Sequence, residues 1–580
     1  MFTRFKSVAY VGFLAASLFL TSCQEDEPLP APTITLPTSS ASATVASTVK
    51  IAASINAPAG LKSVVLLKNG QPVDTRNLTG EVTLDYTYDY RVENLPVGSV
   101  VTFILQATDN EGQTSSVATF TVTVSALPAK EIVTVEGTLS GNVRWTADKI
   151  YRLKGFVRVG RDENVAGTSI TQTGVLTIEP GTVIIGERAT KGTLIIQRGS
   201  RIIAEGTADR PIVFTSERAP GEREPGDWGG LVICGRARNN NPGGVAELEG
   251  QYGAFHGGTD DNDNSGSLRY VRVEYAGVPI NPNQEVNTFT FGSVGKGTRL
   301  EFLQATFGLD DSFEWFGGTV DAKNLVAFRG LDDDFDVDNG YTGNVQFGLS
   351  VRAASLADQS GSNGFEVDND GQGTTSEPFT APNFANITVV GPKERSETPI
   401  SLQFQNGMHL RRNTRIKIYN TVVTGYPNGI YIDPGNSGRT LANAANGDLI
   451  LRGVVVAGIE GFGTDGFGQG TTQNPRGFAV RNVNTATTPE PYQIGSQTPT
   501  AWFSAQPGNR ILTTLAGTGL NNASVLAGSG FTLAANGSLL TGAVTVPSGL
   551  TQVPYIGAFD SSNDWTRTWT NFNPAVTNYR

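Results

Sequence analysis

Leu176-Thr177-Ile178-Glu179-Pro180-Gly181-Thr182 is followed 18 residues on by Leu194-Ile195-Ile196, and 18 residues on again by Ile212-Val213-Phe214. Gly181 and Gly199 keep that register, as do Ile184 and Ile202. One such unit has too few apolar side chains to bury its own face, whereas stacked units share a continuous core. Short strands, glycine corners and a steady coil length therefore predict a parallel β-helix. Outward from this stretch the pattern persists. Gly is abundant, at 69 residues, and no long segment has helical periodicity, so the chain is predicted to be all-β.

Between Asp310 and Asp370 lies the most informative chemistry. Thirteen carboxylates fall in these 61 residues, opposed only by Lys323, Arg329 and Arg352. Phe313-Glu314-Trp315, Phe335-Asp336-Val337-Asp338 and Phe365-Glu366-Val367-Asp368 share one alternation. Side chains alternate between the faces of a strand. Phe313, Phe335 and Phe365 should therefore point inward, while Glu314, Asp336 and Glu366 stack outward on successive coils, with Asp338 and Asp368 beside them. The spacings of 22 and 30 residues fit coils whose loops lengthen.

Adjacent strands lie about 4.8 Å apart. Two carboxylates at that distance repel by about 3–4 kcal/mol at an effective dielectric near 20, and by under ~1 kcal/mol in bulk water. Such a ladder favours solvation or a bound cation. Oxygen ligands in irregular geometry suit calcium, and with only two histidines a nitrogen-rich site is excluded. The predicted calcium ligands are Glu314, Asp334, Asp336, Asp338, Glu366, Asp368 and Asp370. Glu366-x-Asp368-x-Asp370-Gly371, with Glu377 following, also has the spacing of a calcium loop, although nothing helical flanks it. Asp260, Asp261 and Asp263 form a smaller cluster that reads as a polar turn.

Enzymatic readings are weaker, and no catalytic residue is assigned. Asp310, Asp311 and Glu314 could supply the protonated and ionised pair of a glycoside hydrolase. Lys323, Arg329 or Arg352 could act as the base of a lyase. Arg415-Ile416-Lys417 matches a polygalacturonase tripeptide, but the accompanying Gly-His-Gly is absent. His409, Arg411 and Arg412 make a basic strip suited to an anionic glycan or simply to solvent. Trp228, Phe316 and Tyr431 are candidates for stacking on sugars.

The first thirty residues give an address. Arg4 and Lys6 precede an apolar run from Val8 to Leu20, too short for a membrane-spanning helix, which needs about 20 residues. A secretory signal peptide fits it. Leu20-Thr21-Ser22-Cys23 resembles a lipobox, so cleavage is expected after residue 22, with lipid on Cys23 and a membrane as partner. Without Arg4 and Lys6, 54 acidic residues face 41 basic ones, a balance that disfavours nucleic acid. Cys234 is then the one other cysteine, so no intrachain disulfide can form; Leu231-Val232-Ile233-Cys234 reads as buried strand.

Residues 23–34 read as an acidic, proline-rich tether. Residues 35–125 alternate in short strands with turn signals such as Asn69-Gly70, the pattern of an immunoglobulin-like sandwich, a module that commonly serves as a spacer. Ala126-Leu127-Pro128-Ala129 is the expected boundary, and residues 132–580 form the predicted β-helix.

Beyond periodicity, residues 176–182, 204–212, 226–233 and 310–318, with Ala558-Phe559-Asp560 and Asp564-Trp565-Thr566, resemble large right-handed β-helix lipoproteins and secreted proteins of bacteria. Gln24-Glu25-Asp26-Glu27 after Cys23 resembles the export tag of Bacteroidetes-type surface lipoproteins. The resemblance covers about residues 132–580 and implies a β-helix at the cell envelope, on the outer membrane and facing outward. It implies no reaction. The expected function is binding or adhesion to a glycan or outer-membrane partner. The alternatives are a calcium-assisted polysaccharide lyase or glycoside hydrolase, and an accessory lipoprotein of a nutrient-uptake receptor.

Overall fold

A computed structural model describes residues 28–126, 129–162, 170–282, 284–393, 398–458, 493–512, 514–520 and 537–579. Cys23, the signal segment and the boundary residues Leu127 and Pro128 lie outside the described residues. The chain divides into two compact units, 1–129 and 130–580. Among the described residues, no helix is long and apolar enough to cross a membrane.

The first unit is an immunoglobulin-like sandwich of two sheets. Thr33–Thr35, Thr48–Asn56 and Thr83–Arg91 form one, and Ser40–Thr44, Leu61–Lys68, Gln71–Asn77, Val100–Asp109 and Ala118–Ser125 the other. Val101, Phe103, Leu105 and Ala107 alternate inward and meet Ile51, Ala53, Ile55, Tyr86 and Tyr90 in a shared core.

The second unit is a right-handed parallel β-helix in which 25 described strands join in one sheet, with three two-stranded antiparallel pairs beside it. The 18-residue spacing is not its coil length. Leu176 pairs with Ile202, Val183 with Val213 and Leu194 with Leu231. Leu176, Leu194 and Ile212 therefore sit on three different sides of the coil. A short strand with an inward apolar side chain at each end serves every side equally well, so the repeated motif records strand chemistry rather than the helical period.

The longer spacings do mark coils. Phe289, Phe313, Phe335 and Phe365 are register partners and stack inside, with centroids 5.1, 6.0 and 5.1 Å apart. One coil corner repeats a left-handed backbone at Tyr270, Phe302, Asn324, Phe347, Asn386 and Asn420, with φ between 46° and 62°. Asparagine tolerates that conformation better than most residues. Trp502 and Phe503 of the helix Pro499–Ala505 join the main core near its C-terminal end.

Outside this corner, residues 537–579 run back across the coils. Asn420 exchanges hydrogen bonds with the Val544 backbone, at 2.9 and 2.8 Å. Gln346 does so with Thr551 and Gln304 with Asn571. Each amide side chain imitates a strand partner, so the tail is held without being a strand. Beneath it, Phe559 and Trp569 cover Val326, Phe328, Leu349 and Val351.

Candidate functional site

Register sets the site. The strand Phe313–Gly318 lies on Phe335–Asp338, which lies on Phe365–Val367 and then on Asn406–Leu410. One outward column thus runs Thr290, Glu314, Asp336, Glu366, His409, Tyr431. Asp338 and Asp368 stand on the next outward position, where Asp368 donates its amide to Val337 O and Arg411 donates its amide to Val367 O.

At the turn before these strands stands a third column: Asn287, Asp311, Asp333, Asn363, Asn406 and Asn428. Its last three side chains are linked amide to carbonyl: Asn406 Nδ2 donates to Asn363 Oδ1 at 2.8 Å, and Asn428 Nδ2 to Asn406 Oδ1 at 3.2 Å. Asp311 and Asp333 lack that donor. Each accepts a backbone N–H from the following coil, Asp333 N to Asp311 at 2.8 Å and Asn363 N to Asp333, as Asn363 accepts Asn406 N at 3.0 Å. Ligand oxygens of Asp311, Asp333 and Asp336 lie within 4.8 Å of one another, as do those of Asp310, Asp311 and Asp332.

Burial first, and neighbouring carboxylates second, hold Asp311, Glu314, Asp332, Asp333 and Asp336 well above the usual carboxylate range. Asp310 is pushed up to about 8, by burial and then by Glu285 and Glu249. Asp338 rises to about 7 through burial and Asp368. Glu249 and Glu285 carry no mark in the sequence, because they lie outside the acidic stretch, in a turn and a short strand, and join it only in space.

Other residues predicted as calcium ligands are already neutralised. Asp334 is the correction: it points away from the outward columns into a fully buried pair with Arg352, 2.8 Å, and accepts from Ser350. Burial opposes the charge on Arg352, but Asp334 outweighs it and keeps the guanidinium protonated. Arg352→Met should cost ~3–5 kcal/mol in urea unfolding, because it strands a buried carboxylate; Asp334→Asn, which keeps a polar partner, should cost less. Glu366 and Asp368 are held by Arg411, Arg412 and His409, with Arg411 Nε 2.8 Å from Asp368 and His409 Nδ1 3.6 Å from Glu366. Burial raises Glu366, yet Arg411 and His409 outweigh it and bring it down to about 2. Asp370 caps its own turn, accepting from Gln372 N and Thr374 N. Of the predicted set, Glu314, Asp336, Asp338 and Asp370 form no salt bridge among the described residues, and Asp370 is held by its own turn.

The coil geometry has a counterpart among known families. A family model described as a pectate-lyase like beta helix domain matches residues 137–490. The chain belongs to this pectate-lyase-like β-helix family. No curated protein matches it. Among solved structures, fibronectin(III)-like modules of Clostridium thermocellum CbhA match at 19% identity with a TM-score of 0.14, covering 17% of this chain and 49% of that one. The chain thus spans about half the length of that structure.

A pectate-lyase-like β-helix fits a carbohydrate-related role. The cations that the sequence offered as lyase bases do not stand on the acidic columns. Lys323 lies on a different side of the coil, in register with Glu301 and Gln346, and Arg352 is buried on Asp334. Arg329 stands at a corner over Phe328. Arg415 covers Phe379 at 3.5 Å, and Lys417 pairs in register with Asn383. Trp228 is interior, donating to Glu274 O at 2.8 Å, so it cannot stack on a sugar. Phe316 packs against Tyr252 and Leu248, while Tyr431 stacks on His409 at 5.0 Å. Asp261 and Asp263 pair with Arg238 and Arg236. Cys234 is fully buried, and burial pushes its thiol well up, out of the range of a nucleophile.

Proposed function

We propose that the protein is a surface-exposed outer-membrane lipoprotein, anchored through Cys23, whose β-helix binds a glycan or an envelope partner across a calcium-loaded acidic face. The observation that carries this reading is the column Glu314–Asp336, flanked by Asp311, Asp333 and Asp338, where carboxylates on successive coils form no salt bridge among the described residues. Carboxylates so arranged in a partly buried site are stabilised by a divalent cation, which can also bridge to an anionic or hydroxyl-rich ligand. At the far end of the same column, His409 and Tyr431, with Arg411 on the neighbouring column, change the face from acidic to basic and aromatic. That gradient suits an extended chain lying along the helix axis.

One observation favours a second reading, a calcium-assisted lyase or hydrolase. Asp310, near 8, stays protonated beside ionisable neighbours, as a general acid requires. A panel of acidic and neutral glycans separates the two. Binding with calcium, without unsaturated uronate or new reducing ends, supports the binding reading. Product formation that Asp310→Asn abolishes makes the protein an enzyme, and no interaction with any glycan removes the enzyme reading and the glycan as ligand.

A further inference from the structure

We infer that residues 571–579 of the tail form a strap that loosens as pH rises, when Glu274 ionises beneath it. The strap is distinct from the apolar seal, in which Phe559 and Trp569 cover Val326, Phe328, Leu349 and Val351.

The strap closes on one carboxyl group and two guanidinium groups. Glu274 ends the strand Gly266–Glu274 and is fully buried. Its Oε1 accepts the Tyr579 hydroxyl at 2.7 Å, and Asn571 Nδ2 donates to the same hydroxyl at 2.9 Å. Arg223 and Arg272 stand over the Tyr579 ring, 5.1 and 5.7 Å from its centroid. Arg223 also donates to the carbonyl oxygens of Pro574 and Thr577, at 2.7 and 3.0 Å. Gly221, on the same loop as Arg223, donates its amide to Ala575 O at 2.7 Å.

This closure leaves polar atoms unmatched. Glu274 Oε2, the Tyr275 hydroxyl and Arg272 Nε are buried without a hydrogen-bond partner, and so is the Thr215 hydroxyl. Arg272 Nε lies 3.7 Å from Glu274 Oε1, too far for a hydrogen bond. An ionised Glu274 thus carries a charged oxygen under the strap with no donor, which costs more than a neutral carboxyl group there. Lifting the strap lets water solvate that oxygen, so ionisation favours the lifted state.

Burial raises the Glu274 carboxyl above its ordinary value of 4.5, while Arg272, Tyr579, Thr215 and Arg223 pull the other way without cancelling it. These groups face it from its own strand, the preceding coil, the loop and the strap. Tyr275 adjoins it, and Asp227, which acts on Tyr275, is paired with Arg188 and Arg218. Attachment is therefore complete below about pH 4.5 and lost as pH climbs through the raised value.

Hydrogen exchange of the calcium-supplemented full chain at pH 5 and pH 8, corrected for intrinsic rates, tests this. Protection of amides 571–579 should fall about tenfold at the higher pH. Strand Phe289–Val294, deep in the coils, should keep its protection, which marks the opening as local. Glu274→Gln, which cannot ionise, should hold the strap equally at both pH values. Tyr579→Phe should lower strap protection already at pH 5. A wild-type strap equally protected at both pH values overturns the inference without recourse to a variant. So does a loss shared by Phe289–Val294, or the same fall in Glu274→Gln.

Discussion

Stripped of divalent cations, the protein should become less stable as pH rises from about 4 to about 8. Asp310 and Asp338 ionise near 3.8 in the unfolded chain, but in the fold only at about 8 and about 7, because burial and neighbouring acids penalise their charge. Between those limits the folded state binds more protons than the unfolded state, so stability falls with pH. Asp311, Asp333 and Asp336 shift in the same direction and add to the effect. The loss across the window should be up to about 10 kcal/mol. Glu366 has the opposite sign. Held down to about 2 by Arg411 and His409 against its burial, it contributes stability that is lost as pH falls from about 4.5 toward 2. Urea unfolding of the chelated protein should therefore peak near pH 4–5. A plateau from pH 5 to 8 would mean that the acids are solvated and that their shifts do not operate.

Removing the C-terminal tail should be the most damaging change to the fold. Trp569 is 1% exposed and sits edge-on to both Tyr270 and Phe302, 5.9 Å from each ring. Phe559 and Trp565 stack at 5.4 Å beside it, and Phe572 meets Phe328 at 4.9 Å. Each such side chain contributes about 1.5–3 kcal/mol by burial. Trp569→Ala should thus cost ~3–5 kcal/mol. Truncation after residue 536 should expose the whole apolar corner and yield aggregated protein. Val576→Ser, at a tail position 66% exposed, should stay within about 0.5 kcal/mol of wild type. Equal melting temperatures for Trp569→Ala and Val576→Ser would show that the tail does not seal this face.

What the sequence disclosed depended on whether a contact leaves a periodic trace. Phe313, Phe335 and Phe365 do, because a core position recurs once per coil whatever the loop length, and their register carried Glu314, Asp336 and Glu366 with it. The 18-residue repeat misled on coil length because Leu176, Leu194 and Ile212 share strand chemistry while lying on different sides. The basic end of the site was legible in principle. Asn406-Gly407-Met408-His409-Leu410-Arg411 has the frame of Asn363-Gly364-Phe365-Glu366-Val367-Asp368, and aligning the two places His409 on Glu366 and Arg411 on Asp368. Asp334 was misplaced because its partner, Arg352, is an inward-turned cation 18 residues away that no alternation marks. The tail was opaque for a different reason. Val544, Thr551 and Asn571 meet amides 124, 205 and 267 residues earlier through single side chains, which leaves no pattern to read.

The central claim is that the outward face around Asp336 is built for a cation, and thermal melting at pH 8 tests it most directly. Calcium should raise the melting temperature of the wild-type chain by several degrees over the chelated sample, and Asp336→Asn combined with Asp338→Asn should remove most of that rise. A melting temperature that calcium and chelator leave unchanged would contradict it.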